Sequence, residues 1–190
     1  LLGLTDPALI VVCCGHLMRR KNQLDALSSF QEIAESNPGS HLVFAGATDR
    51  EPDYVEEVKE RIRVYGLEAQ VTILGFRDDV LDIMNGSDLF LLPTLADPHP
   101  RVVLEAMQMG LPVISYSTDG VAETVVHGET GMLVPKGDVE GLSRALSQLS
   151  ADIELRKKMA SKSVIRVRDQ FSAERTSHLV EEILRGSVVH

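Results

Sequence analysis

Short runs of aliphatic and β-branched residues alternate with longer amphipathic stretches along this chain, and no other feature narrows its fold as far. The runs cover residues 10–14, 41–45, 71–74, 89–92, 113–115 and 132–134, and apolar side chains follow one another within them without in/out alternation. Strands of that kind are buried on both faces, as the strands of a parallel sheet are. Segments of helical period lie between them. Over 23–35, Leu24, Leu27, Phe30, Ile33 and Ala34 share one stripe; over 54–65, Val55, Val58, Ile62 and Tyr65 share another. Shorter helices are predicted over 79–84, 102–109, 121–127 and 139–149, and two closing helices over 153–168 and 173–184. Parallel neighbours require crossover connections, which are right-handed. The repeated alternation therefore predicts an α/β fold, a Rossmann-like doubly wound parallel sheet of six strands, in one domain covering 1–190.

In such a sheet a ligand sits outside the carboxyl ends of the strands, at the switch point of the strand order. The loops of interest are therefore 15–21, 46–48, 75–77, 93–101 and 116–120. The formal net charge of -9 repels phosphate backbones and anionic lipid surfaces, so nucleic acid is not an expected partner. An anionic ligand needs a local cationic cluster instead. Arg19, Arg20 and Lys21 supply one just past the first strand: Lys acts as a point charge toward phosphate and Arg as a bidentate fork. The same three residues also suit a merely solvated face.

Glu105 lies in Val102-Val103-Leu104-Glu105-Ala106-Met107, a predicted helix apolar almost all round. A carboxylate buried there must be paired or hydrogen-bonded. Two adjacent ribose hydroxyls would satisfy it, and so would a backbone donor or an internal Arg. Asp97-Pro98 reads as a helix start, with Asp97 as N-cap and Pro98 in the first helical position. The same end of the helix is a place for a diphosphate, although Pro98 and Pro100 have no N–H to offer. His99 suits either an acid–base role or a plain surface position. Metal sites and nucleophilic triads are not expected: there is no Cys-x-x-Cys, the histidines are scattered, and no Gly-x-Ser-x-Gly occurs. Neither Gly-x-Gly-x-x-Gly nor a Walker loop follows the first strand, which disfavours a simple NAD or ATP domain. The only cysteines, Cys13 and Cys14, are strand neighbours that point to opposite faces, a poor geometry for a mutual disulfide, and they suit a reducing, cytoplasmic setting. No apolar run approaches the roughly 20 residues of a membrane span. The chain begins Leu1-Leu2-Gly3 without Met, which points to a longer parent protein.

Taken together, these residues resemble the C-terminal, donor-binding domain of retaining GT-B glycosyltransferases, the family 4 type also called glycosyl transferases group 1. Four blocks carry the resemblance, in order: Gly15-His16-Leu17-Met18-Arg19-Arg20-Lys21-Asn22; Leu74-Gly75-Phe76 with Gly86-Ser87-Asp88-Leu89-Phe90-Leu91-Leu92-Pro93-Thr94; Asp97 through Met107 with Gly110-Leu111-Pro112-Val113-Ile114; and Asp119-Gly120-Val121-Ala122-Glu123 with Gly128-Glu129-Thr130-Gly131. The third is similar to the family's element of two Glu separated by seven residues. The likeness runs from Ile10 to Ser172.

The resemblance implies the C-terminal half of a GT-B architecture that binds a nucleotide-diphosphate-sugar donor such as a UDP or GDP sugar. It implies transfer with retention to an acceptor sugar or lipid held by an N-terminal domain, with no metal and no other cofactor. By position, Lys21 and Asp97 are the implied catalytic pair, with Asp97 at the donor sugar. Lys21, His16, Arg20, His99, Arg101 and Val102 are the implied diphosphate residues, Glu105 the ribose residue, and Gly75 with Phe76 the base residues. The isolated domain is expected to be inactive, and the whole protein cytoplasmic with peripheral membrane association. Three positions depart from the family pattern: His16 stands where it has Arg, Asp97 where it has the first Glu, and His99-Pro100 where it has Phe-Gly. These departures suit a non-catalytic nucleotide-binding or interaction module as a rival. A GT-B epimerase or phosphorylase is a further alternative, for which neither a pyridoxal-phosphate Lys nor an epimerase acid set is found.

Overall fold

The computed structural model describes residues 9–98 and 100–172. His99 and the helix predicted over 173–184 lie outside the described residues. Six parallel strands form one sheet: β1 (Leu9–Cys14), β2 (Ser40–Ala45), β3 (Val71–Gly75), β4 (Leu89–Leu92), β5 (Val113–Tyr116) and β6 (Gly131–Val134), in the spatial order β3-β2-β1-β4-β5-β6. The helices are α1 (Gln23–Ser36), α2 (Pro52–Val64), α3 (Val80–Asn85), α4 (Arg101–Gln108), α5 (Asp119–Thr124), α6 (Val139–Ala151) and α7 (Ile153–Phe171), with a 3-10 turn over Arg19–Lys21. This is the Rossmann-like doubly wound sheet expected from the strand–helix alternation.

The central strands explain the lack of alternation in their sequences. Every residue of β2, β4 and β5 is buried, as are all of β1 but Ile10, because helices cover both faces. The two edge strands, β3 and β6, are only partly covered. The longest ladder pairs Leu9–Cys14 with Ser40–Ala45 residue for residue. Helix α1 packs on α6, and α4 on α7. Phe30, Phe44, Phe90 and Tyr116 are completely buried in the core, each contributing about 1.5–3 kcal/mol of hydrophobic stabilisation. Asp138 and Asp152 cap α6 and α7, their carboxylates accepting from Gly141 N–H and Leu155 N–H at 2.8 Å each.

Helix α2 begins at Pro52, two residues before its expected start, and two further helix starts that differ from expectation bear on the site. Asp97 does not cap α4: the helix begins at Arg101 with Pro100 in the cap position, and Asp97 is drawn into tertiary contacts described below. Helix α5 begins two residues earlier than predicted and stops at Thr124, where Arg166 of α7 donates to the carbonyls of Glu123 and Thr124 at 2.8 and 2.7 Å. The chain runs outward from β1 to β3, then returns to place β4 on the other side of β1. That reversal opens the crevice at the carboxyl ends of β1 and β4 where a ligand is expected.

Candidate functional site

A cavity of about 230 Å³ opens beside that reversal, lined by Cys14, Gly15, His16, Ala45, Gly46, Ala47, Phe76, Arg77, Val80, Val102 and Glu105. It takes residues from the ends of β1, β2 and β3 and from the first turns of α4. His16, Phe76, Val102 and Glu105, named from the sequence for three different parts of one ligand, thus share one cavity wall. Its shape depends on a close approach of two loops. A Cβ on Gly46 would lie 2.0 Å from the carbonyl oxygen of Gly15, so only glycine fits there.

Glu105 is half-buried, less than its apolar neighbours suggested, because α4 is amphipathic and exposes Arg101 and Gln108. Its carboxylate makes no hydrogen bond or ion pair with another described residue, so the internal Arg weighed above is not present among them. A carboxylate opening onto a cavity, with its acceptors unused by any described residue, can take hydroxyl donors. Phe76 is 77% exposed at the rim. A large aromatic face left in water beside a cavity is suited to stacking on a flat ring. Gly75 stands one residue back, its carbonyl accepting from Gly46 N–H at 2.9 Å. At the base of the cavity Cys14 is buried, and desolvation, reinforced by Cys13 and by the Glu105 carboxylate, pushes its thiol well up, while that of Cys13 is pushed to about 12. Both stay protonated and unreactive at neutral pH.

A second cluster lies directly behind Gly15. The stem of Lys21 runs under that glycine, its carbons 3.5–3.9 Å from where a Cβ would stand. Lys21 is 8% exposed, and its Nζ donates to Oδ2 of Asp97 at 2.5 Å. The two implied catalytic residues therefore meet as a buried ion pair. Arg20 joins the pair from the outside, 3.8 Å from Asp97 and donating to the Ala96 carbonyl at 2.5 Å, while Arg19 turns away to Glu57 at 2.9 Å over the Tyr54 ring. Arg101 points into a different cavity, of about 340 Å³, with Leu104, Glu123, Thr124 and Phe171. Among the described residues no group of three His, Cys, Asp or Glu side chains could hold a metal ion.

Three supporting residues escaped sequence reading. Gln23, wholly buried, donates to the His16 carbonyl at 3.1 Å and fixes that loop. Tyr116, at the end of β5, donates to Asp25 at 2.7 Å, and Asn22 donates to the same carboxylate oxygen at 2.5 Å. Burial and the Asp25 carboxylate push the Tyr116 phenol up, so it remains a donor. Asn22 sits in the left-handed region (φ 56) between the 3-10 turn and α1, a conformation Asn tolerates better than most residues. Together these contacts fix the turn that carries Lys21. No local signal links Tyr116 to Asp25, 91 positions apart.

The family model described as "Glycosyl transferases group 1" matches residues 2–164. The chain belongs to the glycosyl transferases group 1 family. Among its relatives, N-acetyl-alpha-D-glucosaminyl L-malate synthase of Bacillus anthracis is 27% identical over 181 residues, which is 95% of this chain and 46% of the relative. Crystal structures of Anabaena Alr3699/HepE in complex with UDP and with UDP-glucose superpose with TM-scores of 0.87 and 0.85 at 28% identity, covering 94% of this chain and 49% of theirs. The C-terminal domain of LpcC, a group 1 protein from Francisella tularensis, shares the fold with a TM-score of 0.79 at 22% identity, over 87% of both chains. The chain thus spans about half the length of the Bacillus anthracis relative and of HepE. Among its described residues no helix is long and apolar enough to cross a membrane.

Proposed function

We propose that this chain is the donor-binding half of a retaining glycosyltransferase that uses a nucleotide-diphosphate sugar. The observation that carries the reading is Glu105: a half-buried carboxylate without a described partner, facing a cavity whose rim presents the Phe76 ring. In this reading the ribose hydroxyls donate to Glu105, the base lies on Gly75 and Phe76, and the diphosphate runs past Val102 and His16 toward Gly15. Lys21 stands behind that glycine. An ammonium has three N–H donors; Asp97 takes one, and the others serve the diphosphate.

When the bond between the sugar's anomeric carbon and the diphosphate oxygen breaks, the electron pair stays on that oxygen. A fixed cation beside it stabilises the charge that develops and lowers the barrier. Asp97 holds that cation in place; Arg20 sits behind both. His99 remains a proposed diphosphate residue; Arg101, which lines the separate cavity with Glu123 and Phe171, could join it only by turning its side chain toward Val102. No metal or other cofactor is required in this scheme, because the protein supplies the positive charge. HepE, 28% identical, binds UDP and UDP-glucose in its crystals, so uridine nucleotides are the first ligands to try, ahead of guanosine and adenosine ones.

The acceptor, a sugar or a lipid, would be held by an N-terminal domain outside this chain; alone, the 1–190 domain binds donor without transferring sugar. The two buried unpaired thiols support a reducing, cytoplasmic setting. Calorimetry with UDP, GDP and ADP tests the proposal. One of them binds at a single site if it is right; a folded chain that takes none of the three refutes it.

A further inference from the structure

Two loops meet in consecutive contacts beside the Lys21–Asp97 pair. Thr118 donates to the Thr94 carbonyl at 3.3 Å, the Asp97 N–H donates to Oδ2 of Asp119 at 3.0 Å, and a Cβ on Gly120 would lie 2.6 Å from the Pro98 carbonyl. On its other side the same segment leans on the turn carrying Lys21: Leu95 N–H donates to the Arg20 carbonyl at 2.8 Å, and the Thr94 hydroxyl lies 3.1 Å from it. Asp97 is thus gripped from both sides, its carboxylate by Lys21 and its N–H by Asp119.

The residue that makes this second contact is itself in an unfavourable conformation. Asp119 has φ 38, one of two residues other than glycine with positive φ among the described residues. Its side chain is exposed, so no burial explains its presence there. Glycine would adopt this backbone without strain but would leave the Asp97 N–H without its acceptor. We infer that Asp119 is a positioning residue: it accepts strain in order to hold Asp97, and through Asp97 the ammonium of Lys21, at the donor site. The role in ligand binding rests on the nucleotide-sugar reading above; the tether itself does not.

Asp119→Gly and Asp119→Asn separate the roles. Both remove the charge, so any electrostatic effect on an anionic ligand is common to them. Only Asn keeps an oxygen acceptor, and it tolerates positive φ. The measurements are thermal melting, hydrogen exchange at the Asp97 amide, acetylation of Lys21 by acetic anhydride read by mass spectrometry, and UDP affinity. Asp119→Gly is expected to melt no lower than the parent chain. Its Asp97 amide should exchange faster, its Lys21 should acetylate faster, and it should bind UDP about tenfold more weakly than Asp119→Asn, the scale of one net hydrogen bond. Asp119→Asn should retain the parent's protection at Asp97 and Lys21. If the two variants match in exchange, acetylation and affinity, Asp119 is not a positioning residue. If the parent chain itself takes no UDP, the nucleotide reading falls, while exchange and acetylation still decide the tether.

Discussion

Removing Asp97 alone and removing it together with Lys21 should have very different effects on stability. The side chains of the pair are only 10% and 9% exposed, and Nζ and Oδ2 are 2.5 Å apart. In Asp97→Ala the ammonium stays where it is, enclosed by Gly15 and the 94–97 loop, and loses its counter-charge. Arg20 cannot compensate, being itself a cation. Breaking a buried pair by removing one partner typically costs about 3–5 kcal/mol. With a tenth of each side chain still in water, the lower end applies, about 3 kcal/mol, which in a chain of this size lowers the melting temperature by roughly 6–12 °C. Replacing both charges by apolar groups of similar length, Lys21→Met with Asp97→Leu, removes the unpaired charge as well. That double variant should therefore lie within about 1 kcal/mol of the parent. Urea denaturation of the parent, Lys21→Met, Asp97→Leu and the double variant closes the cycle, with Asp97→Ala measured beside it. A loss below about 1 kcal/mol in Asp97→Ala, or a double variant no more stable than the single one, would refute the enclosed pair.

Glu105→Ala should show the opposite pattern: stability within about 0.5 kcal/mol of the parent, because the carboxylate supports no described contact, but UDP binding weaker by about 1–3 kcal/mol. Calorimetry beside a urea melt reads both. Gly46→Ala places a methyl group 2.0 Å from a backbone oxygen, so the loops after β1 and β2 must part; a loss of at least about 1–3 kcal/mol in urea is expected, with UDP binding reduced as well. His41, buried at the start of β2 with Nε2 2.8 Å from the Thr72 hydroxyl, has its pKa lowered by desolvation. Its folded pKa is below the unfolded one, so protons bind the unfolded chain more readily, and stability should fall as the pH drops below about 6.5. His41→Gln should flatten that part of the pH profile.

The fold was legible in the sequence because its signal is distributed. Six apolar runs and their intervening helical stripes each constrain the topology, and a shift of one or two residues at any end leaves it unchanged. The failures occur where a tertiary contact overrides a local rule. Asp97-Pro98 has the chemistry of a helix start, yet Asp97 is held by Lys21 and Asp119, and α4 waits until Arg101. The end of α5 is set by Arg166, more than forty residues away. The site was legible in part for the same reason. Glu105 is conspicuous because its chemistry disagrees with its place, a carboxylate in a helix of apolar neighbours; Phe76 was named only through the family resemblance. The Arg19-Arg20-Lys21 run gave charge but not direction: Arg19 turns to Glu57, Arg20 reaches the Ala96 carbonyl and the outer side of Asp97, and only Lys21 is buried. Asp25, Tyr116 and Asp119 act through partners far along the chain, which no local pattern encodes.

In the proposed function a nucleoside diphosphate occupies the cavity between Glu105 and Phe76. Titrating UDP into isotope-labelled chain and following backbone amide resonances tests it most directly. Saturable shifts are expected to concentrate at residues 14–16, 45–47, 75–77 and 102–105, all weakened together in Glu105→Ala. Shifts centred instead on the cavity of Leu104, Glu123 and Phe171, or a spectrum unmoved by UDP, GDP and ADP, would contradict it.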